Sequence, residues 1–518
     1  MNNIPWNCKC AIGMSRRKFI STCSTCTALC AATPFVSINC SNSTEKKDKK
    51  TIRIIYSLHA PIQPKPDWPN VGFDFTPAMQ RINDTLIREC PEFNFVSSQA
   101  TGPEEAENIL KQDESANIHG YIVYQMNCWN RVVQTMAKSG LPVLYADFQY
   151  GGSGGFLVYN AGFLRNKTGN VGFVASSDMN DLAKAVQCFG HIDHADEFAA
   201  ATTKVRMKNT HKYGDKKAKA DDLEILSPQE CLSRLKESKI LAVRDQNSGP
   251  ADPILHIPME KVAFAEVNAA WEKADKDESR AIAERWQKTA DQVIDVPFET
   301  LETSAAFYLG MKDVLKKHDA NAITINCLGG FYGGHIHAYP CLGFHELNNE
   351  GLVGACECDT RSTATMLAFS TLTNGRPGYI SDPVIDTAKG QIIYAHCVAS
   401  NRVFGPDGST NPFAIMTHSE DRQGASVRSI LPLGYMTSTL EILPDQKEII
   451  FHQGIAVDND PDDRACRTKL CAEPVGDIEK LFAMWDQWGW HRVTFYGDLK
   501  EPVYALADFI GWRVIEEA

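Results

Sequence analysis

The sequence predicts an α/β protein: two domains built on parallel sheets, followed by a β-rich C-terminal domain. Three observations carry this reading. From residue 51 to about 373, short β-branched runs alternate with amphipathic segments at the spacing of β-α-β units. From about Gly375 the pattern changes to short strands divided by Gly, Pro and Asp turns, with few helices, as in an antiparallel barrel or sandwich. At 518 residues the chain is too long for a single hydrophobic core, so two or three domains are expected.

The first 40 residues read as an address rather than as structure. Ser15-Arg16-Arg17-Lys18-Phe19-Ile20 precedes a mildly apolar stretch rich in Ser, Thr and Cys that runs to about Ile38, the pattern of a twin-arginine export signal. The expected destination is the periplasm. That stretch is short and polar for a membrane span. Cys40 offers a position for a lipid anchor, although Ser37-Ile38-Asn39 is a poor context for one. Residues 41–50 form a polar, charged tether.

The first α/β domain is expected over 51–168. A continuous apolar strand at 51–57 is followed by a helix near 76–90 with Met79, Ile82, Leu86 and Ile87 on one face. Strands at 93–97, 120–124 and 141–146 then alternate with helices at 103–112 and 129–138. Gly151-Gly152-Ser153-Gly154-Gly155 closes the run, but it lacks the spacing of a nucleotide-cradling loop. The second domain, 169–374, is expected to open with a strand at 170–176 and to end with strands at 322–327 and 352–356, each followed by a helix. The third, 375–518, carries strands at 391–398, 426–431, 437–442 and 448–454, a helix near 478–488, and a last βα segment.

Composition narrows the partners. The chain is 43% apolar and 22% charged, with a formal charge of −12. Eight of its basic side chains lie in the first 50 residues against two acidic ones, so the body carries a net −18. Such a body repels nucleic-acid phosphates and anionic lipid. The basic run from Lys204 to Lys219 reads as a solvated surface segment. Eleven of the 17 cysteines lie in the body at irregular spacing, which argues against a disulfide framework. Cys356 and Cys358 lack the spacing of a zinc knuckle and read as core packing.

Chemistry gathers in three stretches: Gly354-Ala355-Cys356-Glu357-Cys358-Asp359, Gly378-Tyr379-Ile380-Ser381-Asp382, and Trp490-His491-Arg492-Val493-Thr494-Phe495-Tyr496-Gly497-Asp498. Glu357 stands directly after a strand, where sites form in parallel sheets. Two hard oxygen ligands, Glu357 and Asp382, with one imidazole, His491, suit Mn²⁺ or Mg²⁺ and leave room for a substrate diol. A metal-dependent enzyme acting on a polyol or sugar would follow from their convergence. Asp359 competes with Glu357 and, with Thr360, also reads as a helix cap. Trp485, Trp488 and Trp490 could stack on sugar C–H faces or pack in the core.

These stretches, together with Ile-Tyr-Ala-His396-Cys397 and Thr417-His418-Ser419-Glu420-Asp421, resemble the C-terminal motifs of the L-fucose isomerase/L-arabinose isomerase-like family. The resemblance is clear over about 320–518 and rests on the α/β layout before that. It implies two Rossmann-like domains, a third domain containing a β-barrel, trimeric or hexameric assembly, and Mn²⁺-dependent interconversion of an aldose and a ketose. By that resemblance Glu357, Asp382 and His491 are the metal ligands, and the two carboxylates are also the acid and base. The resemblance also matches His396 to a further histidine of the arabinose-isomerase branch, and His396, His418 and Trp490 are the candidates to face the substrate. Two other outcomes are compatible with the same residues: an exported sugar-binding protein without turnover, and a sugar epimerase using the same metal.

Overall fold

A computed structural model describes residues 49–214 and 217–518. The expected export signal, Cys40 and the tether up to residue 48 lie outside the described residues.

Apolar runs rich in Val, Ile and Tyr make the central strands, with Arg53 of the first paired to Asp113. β1 (Thr51–Ser57), β2 (Asn94–Ala100), β3 (Ile118–Gln125), β4 (Val143–Asp147) and β5 (Val171–Val174) form one sheet in the order β2-β1-β3-β4-β5. Every pairing in it is parallel. The strand expected to open the second α/β section is β5, and it pairs with β4 inside this first sheet. Helix α1 (Thr76–Glu89) buries Met79, Ile82 and Leu86 as its 3.6-residue period requires, whereas Ile87 faces outward and is exposed. The glycine-rich loop opens helix α2 (Ser153–Arg165). Its glycines serve close packing: a Cβ at Gly152 would stand 1.9 Å from the Gln125 carbonyl oxygen, and one at Gly155 2.9 Å from the Trp129 backbone nitrogen.

The second sheet holds β6 (Ile240–Val243), β7 (Gly249–Ile254), β8 (Ile257–Lys261), β10 (Ala322–Ile325) and β11 (Val353–Ala355), after β9 (Gln292–Ile294) leaves it. Its order is β11-β10-β6-β8-β7, parallel except for the β7–β8 hairpin. β7 contains two prolines and Asp252, which suits a solvated edge. Helices α3 (Phe298–Lys317) and α4 (Cys341–Asn349) cover it, with Phe307, Met311, Leu342 and Phe344 packed on Leu241, Ile323 and Ile325.

The C-terminal part is a barrel rather than a sandwich. β12 (Tyr379–Asp386) and β13 (Gln391–His396) start it, and β14 (Phe413–Met416) and β15 (Ser426–Ser429) depart to form a small sheet with β9. β16 (Met436–Leu443), β17 (Glu448–Asn459), β18 (Thr468–Val475) and β19 (Arg492–Tyr496) complete the ring. The order β16-β19-β12-β13-β18-β17 closes because β17 pairs back onto β16, which leaves these six antiparallel strands without free edges. β20 (Arg513–Glu516) adds to β17 in parallel. Inside the ring Thr494 Oγ1 lies 3.2 Å from Ser381 Oγ and 3.1 Å from Thr439 Oγ1, so the buried hydroxyls satisfy one another.

The barrel is also where the cores meet. Val123, Tyr145 and Phe173 of the first sheet share a cluster with Tyr379, Ile392 and Leu470 of the barrel. Ile323 of the second sheet shares another with Val384 and Ile393. Each fully buried side chain of this size contributes about 1.5–3 kcal/mol of transfer free energy, so the three parts hold one another in register. The carboxyl ends of β1, β3, β10 and β11 lead into loops that face the barrel rim. This is where parallel sheets build sites.

Candidate active site and metal centre

Glu357 stands two residues beyond β11, in a turn fixed from both sides. The Cys358 backbone N–H donates to the Ile325 carbonyl at 3.0 Å, and Arg244 Nη2 donates to the Cys358 carbonyl at 3.0 Å. Glu357 and Cys358 both have left-handed backbones, with φ of 63° and 50°. Such a conformation costs non-glycine residues on the order of 1–3 kcal/mol each and collects at functional sites. Asp359, the next residue, caps helix α5 (Thr360–Leu372) by accepting from the Ser362 backbone N–H at 3.0 Å.

The barrel supplies the other groups. Asp382 lies within β12, paired with Ala395 of β13, beside His396 at the end of that strand. Ser381 pairs with Arg492, so His491 enters from the start of β19 on the opposite flank of β12. His491 Nε2 stands 3.2 Å from Asp382 Oδ1 and 3.5 Å from Glu357 Oε2. His396 Nε2 stands 3.9 Å from Glu357 Oε1 and 4.0 Å from Asp382 Oδ2.

Ligand atoms bound to one ion at about 2.0–2.3 Å lie roughly 3–4.5 Å from one another, and these four separations fall in that range. Glu357, His396 and His491 each offer a ligand atom within 4.8 Å of the others. His396, expected to face the substrate, thus joins the ligand-capable group itself. It is 2% exposed, and neither of its ring nitrogens has a hydrogen-bond partner among the described residues. A buried imidazole without partners is costly, and a metal ion satisfies it. His491 Nδ1 donates to Asp359 Oδ2 at 2.9 Å, which leaves Nε2 turned toward the carboxylates.

Electrostatics agree with the geometry. Burial disfavours charge on His491, yet Glu357, Asp359 and Asp382 outweigh it and hold the imidazole well above its ordinary value. Burial, with Asp382 and Asp359 adding to it, pushes the Glu357 carboxyl up against the pull of His491 and His396. Positive charge is therefore favoured at the centre of the four side chains. The residues present fit a divalent cation.

These groups form one wall of a cleft of about 550 Å³, which His418 and Trp490 also line. The six residues expected to hold the metal or face the substrate all line it, whereas Asp359, Trp485 and Trp488 are not among its lining residues. His418 is buried, with Nδ1 3.5 Å from Asp421 Oδ1; burial opposes its charge, but Asp421 and Cys397 keep its pKa well above the ordinary value. Trp490 packs against Trp485 with ring centroids 6.3 Å apart.

The opposite wall comes from residues that the sequence analysis did not assign to the site. Asp67 and Trp68 follow β1, Trp129 follows β3, and Tyr332 ends the helix after β10. Trp129 is 54% exposed on a left-handed backbone of φ 67°. Tryptophans just past the carboxyl ends of parallel strands were the available signal. Glu420 completes this wall and accepts from Tyr332 Oη at 3.2 Å. Six of the eleven body cysteines also line the cleft, and all eleven are free thiols.

No protein-family model matches the chain. Over 246 residues it is 24% identical to a sulfoquinovose isomerase of Clostridium sp. (strain MSTE9), covering 43% of this chain and 51% of that relative. It is 26% identical over 165 residues to a sulfoquinovose isomerase of Priestia aryabhattai, covering 31% and 36%. A third, from Alkalicoccus urumqiensis, is 27% identical over 101 residues, 19% and 23%. The chain spans about half the length, or less, of the curated relatives it matches. Among solved structures the XylFII molecule aligns with 58% of this chain and 92% of its own at 12% identity, with a TM-score of 0.16 that carries no argument. Over part of its length, then, the chain is similar to sugar isomerases, the activity class that the fucose/arabinose resemblance implies.

Proposed function

We propose that the protein interconverts an aldose and a ketose through an ene-diol, with Glu357 and Asp382 moving the proton between C1 and C2. The observation that carries this reading is the meeting of two carboxylates and two imidazoles at one rim of a sugar-sized cleft. Glu357, Asp382, His396 and His491 would hold a divalent cation, which would supply fixed positive charge against the negative charge that develops on the sugar oxygens. Two imidazoles in the set favour Mn²⁺ over Mg²⁺, which prefers oxygen ligands.

The protein's own groups do the rest. From the aldose, one carboxylate removes the C2 proton while O1 takes up a proton, which gives the ene-diol. Its partner, in the acid form, then delivers a proton to C1 while the O2 hydroxyl gives up its own, so that C2 becomes the carbonyl. Their roles exchange in the reverse direction. Asp359 fixes the tautomer and orientation of His491. Trp490 and Trp129 offer apolar faces to sugar C–H groups. Assembly as a trimer or hexamer and export by the twin-arginine route belong to the same proposal and rest on the family resemblance and on residues 15–20.

The test is to strip the protein of metal, reload it with Mn²⁺ and incubate it with a panel of aldoses in D₂O. Ketose carrying deuterium at C1 is expected. Ketose without deuterium would take the proton transfer away from Glu357 and Asp382. An epimer in place of ketose, or no product from any sugar, would remove the isomerase reading.

A further inference from the structure

We propose that Glu441 and Ser362 are positioning residues for His491, forming with Asp359 a chain of hydrogen bonds that ends in a buried carboxylic acid; this rests on the isomerase reading above. Glu441 lies on β16 and is fully buried. A carboxyl group enclosed there costs stability unless its oxygens have partners. Its side-chain partners, Ser362 and Arg361, lead to the His491 ring and to the backbone that carries it.

The first arm reaches the ring. Ser362 Oγ stands 3.1 Å from Glu441 Oε2, 3.2 Å from Glu441 Oε1 and 2.9 Å from Asp359 Oδ2. The same Asp359 oxygen accepts from His491 Nδ1 at 2.9 Å. These bonds join the barrel interior to an imidazole whose Nε2 faces Glu357 and Asp382. An imidazole ligand holds its cation at about 2.0–2.1 Å, so a ring free to swing binds it less tightly.

Donor count fixes the direction of the chain. A serine hydroxyl has one hydrogen to give, and two carboxyl groups lie beside Ser362. Asp359 already accepts from the Ser362 backbone N–H at 3.0 Å and from His491, so it is the acceptor of the chain. Glu441 Oε1 accepts from Arg361 Nε at 3.1 Å, which leaves Oε2 to carry a hydrogen and donate it to Ser362. Burial, then Asp359, push the Glu441 carboxyl up to about 8, against the pull of Arg361, Arg492 and the Ser362 hydroxyl. The acid form prevails at neutral pH.

The second arm holds the backbone. Arg361 Nη2 donates to the Trp488 carbonyl at 2.6 Å. Arg492 Nη1 adds bonds to the Gly489 and His491 carbonyls at 3.0 and 2.8 Å. Glu441 thus anchors both a guanidinium that pins the turn before β19 and a hydroxyl that orients the ring.

The experiment measures Mn²⁺ affinity of the full chain through the free-ion electron paramagnetic resonance signal, with turnover of the aldose panel recorded alongside. Glu441→Leu removes both arms, and affinity is expected to fall about 10–100-fold. Ser362→Ala deletes the hydroxyl but keeps the backbone N–H that caps Asp359, and a loss of about ten-fold is expected. Glu441→Gln keeps an acceptor for Arg361 and a donor for Ser362, so it should bind Mn²⁺ like the wild type. Where Glu441→Leu does not fold, Ser362→Ala against Glu441→Gln makes the same comparison.

A purely structural ion pair between Glu441 and Arg361 predicts the reverse order. Glu441→Gln, lacking the charge, would then be as weak as Glu441→Leu, and Ser362→Ala would bind as the wild type does. Either result overturns the proposal. The expected order of affinities without ketose from any aldose would sink the isomerase reading and keep the chain. Ketose formation with an affinity unmoved by Ser362→Ala would do the opposite, and a wild type that binds no Mn²⁺ would overturn both.

Discussion

Glu357, Asp382 and His491 lie far apart in sequence and within hydrogen-bond to ion-pair distance in space, so each is open to a single-residue test. Glu357→Gln removes the negative charge and the proton acceptor while keeping the shape. Turnover should fall by about 10²–10⁴-fold with the thermal midpoint little changed, since positioned acid–base groups contribute on that scale. Asp359→Ala should act differently, because Asp359 both caps α5 and holds His491. Metal affinity is expected to drop about 10–100-fold, together with a stability loss of about 1 kcal/mol. Equilibrium dialysis and urea unfolding read the two effects separately.

At this scale much of the site was legible, because each motif couples a chemistry-bearing residue to a strand end. His396 was visible as a residue but not as a member of the ligand-capable group, since that depends on the pairing of β12 with β13. Asp67 sits in a loop with no periodic signal, and Trp129 precedes a helix that starts only at Val132 rather than at residue 129. Glu420 belongs to a motif whose pattern does not mark it as a cleft residue. Only the folded path of those segments brings them to the cleft.

At the scale of elements, the glycine-rich loop illustrates packing rather than ligand binding. Gly152→Ala would drive a methyl group into the Gln125 carbonyl, so the strand β3 that leads to Trp129 must shift or α2 must move away. A loss of about 1–3 kcal/mol is expected, the usual cost of overpacking a filled site. A drop in the chemical unfolding midpoint with an unchanged slope would show it, and an unchanged midpoint would contradict it.

Most strands and helices were readable from period and turn residues, and the change from parallel sheets to a barrel fell where the Gly/Pro/Asp turns begin. Strand allocation was harder. β5 belongs to the first sheet, and β9 pairs with β14 across more than a hundred residues of chain. Such pairings are set by which edges remain free after folding. No local pattern encodes them.

At the scale of the whole molecule, the C-terminus ties the barrel together. Glu517, fully buried after β20, lies 2.8 Å from Arg492 Nη2 and 3.0 Å from His452 Nδ1. Burial works against its charge, but Arg492 and His452 prevail and bring the carboxyl down to about 2 from an ordinary 4.5. Because the folded pKa is the lower one, the native state binds fewer protons than the unfolded chain. The stabilisation is complete above about pH 4.5 and is lost as the pH falls toward about 2, amounting to on the order of 3 kcal/mol. Thermal midpoints taken across that window should fall steeply for the wild type and less so for Glu517→Gln, whose midpoint at neutral pH should already be lower.

The convergence of four side chains from the second sheet and the barrel on one cation is tested most directly by titrating metal-stripped protein with Mn²⁺ and following the loss of the free-ion electron paramagnetic resonance signal. One equivalent per chain is expected for the wild type, with binding weakened at least ten-fold in each of His396→Ala and His491→Ala. Binding by either variant as tight as wild type, or no stoichiometric binding by the wild type, would contradict a metal centre at this rim.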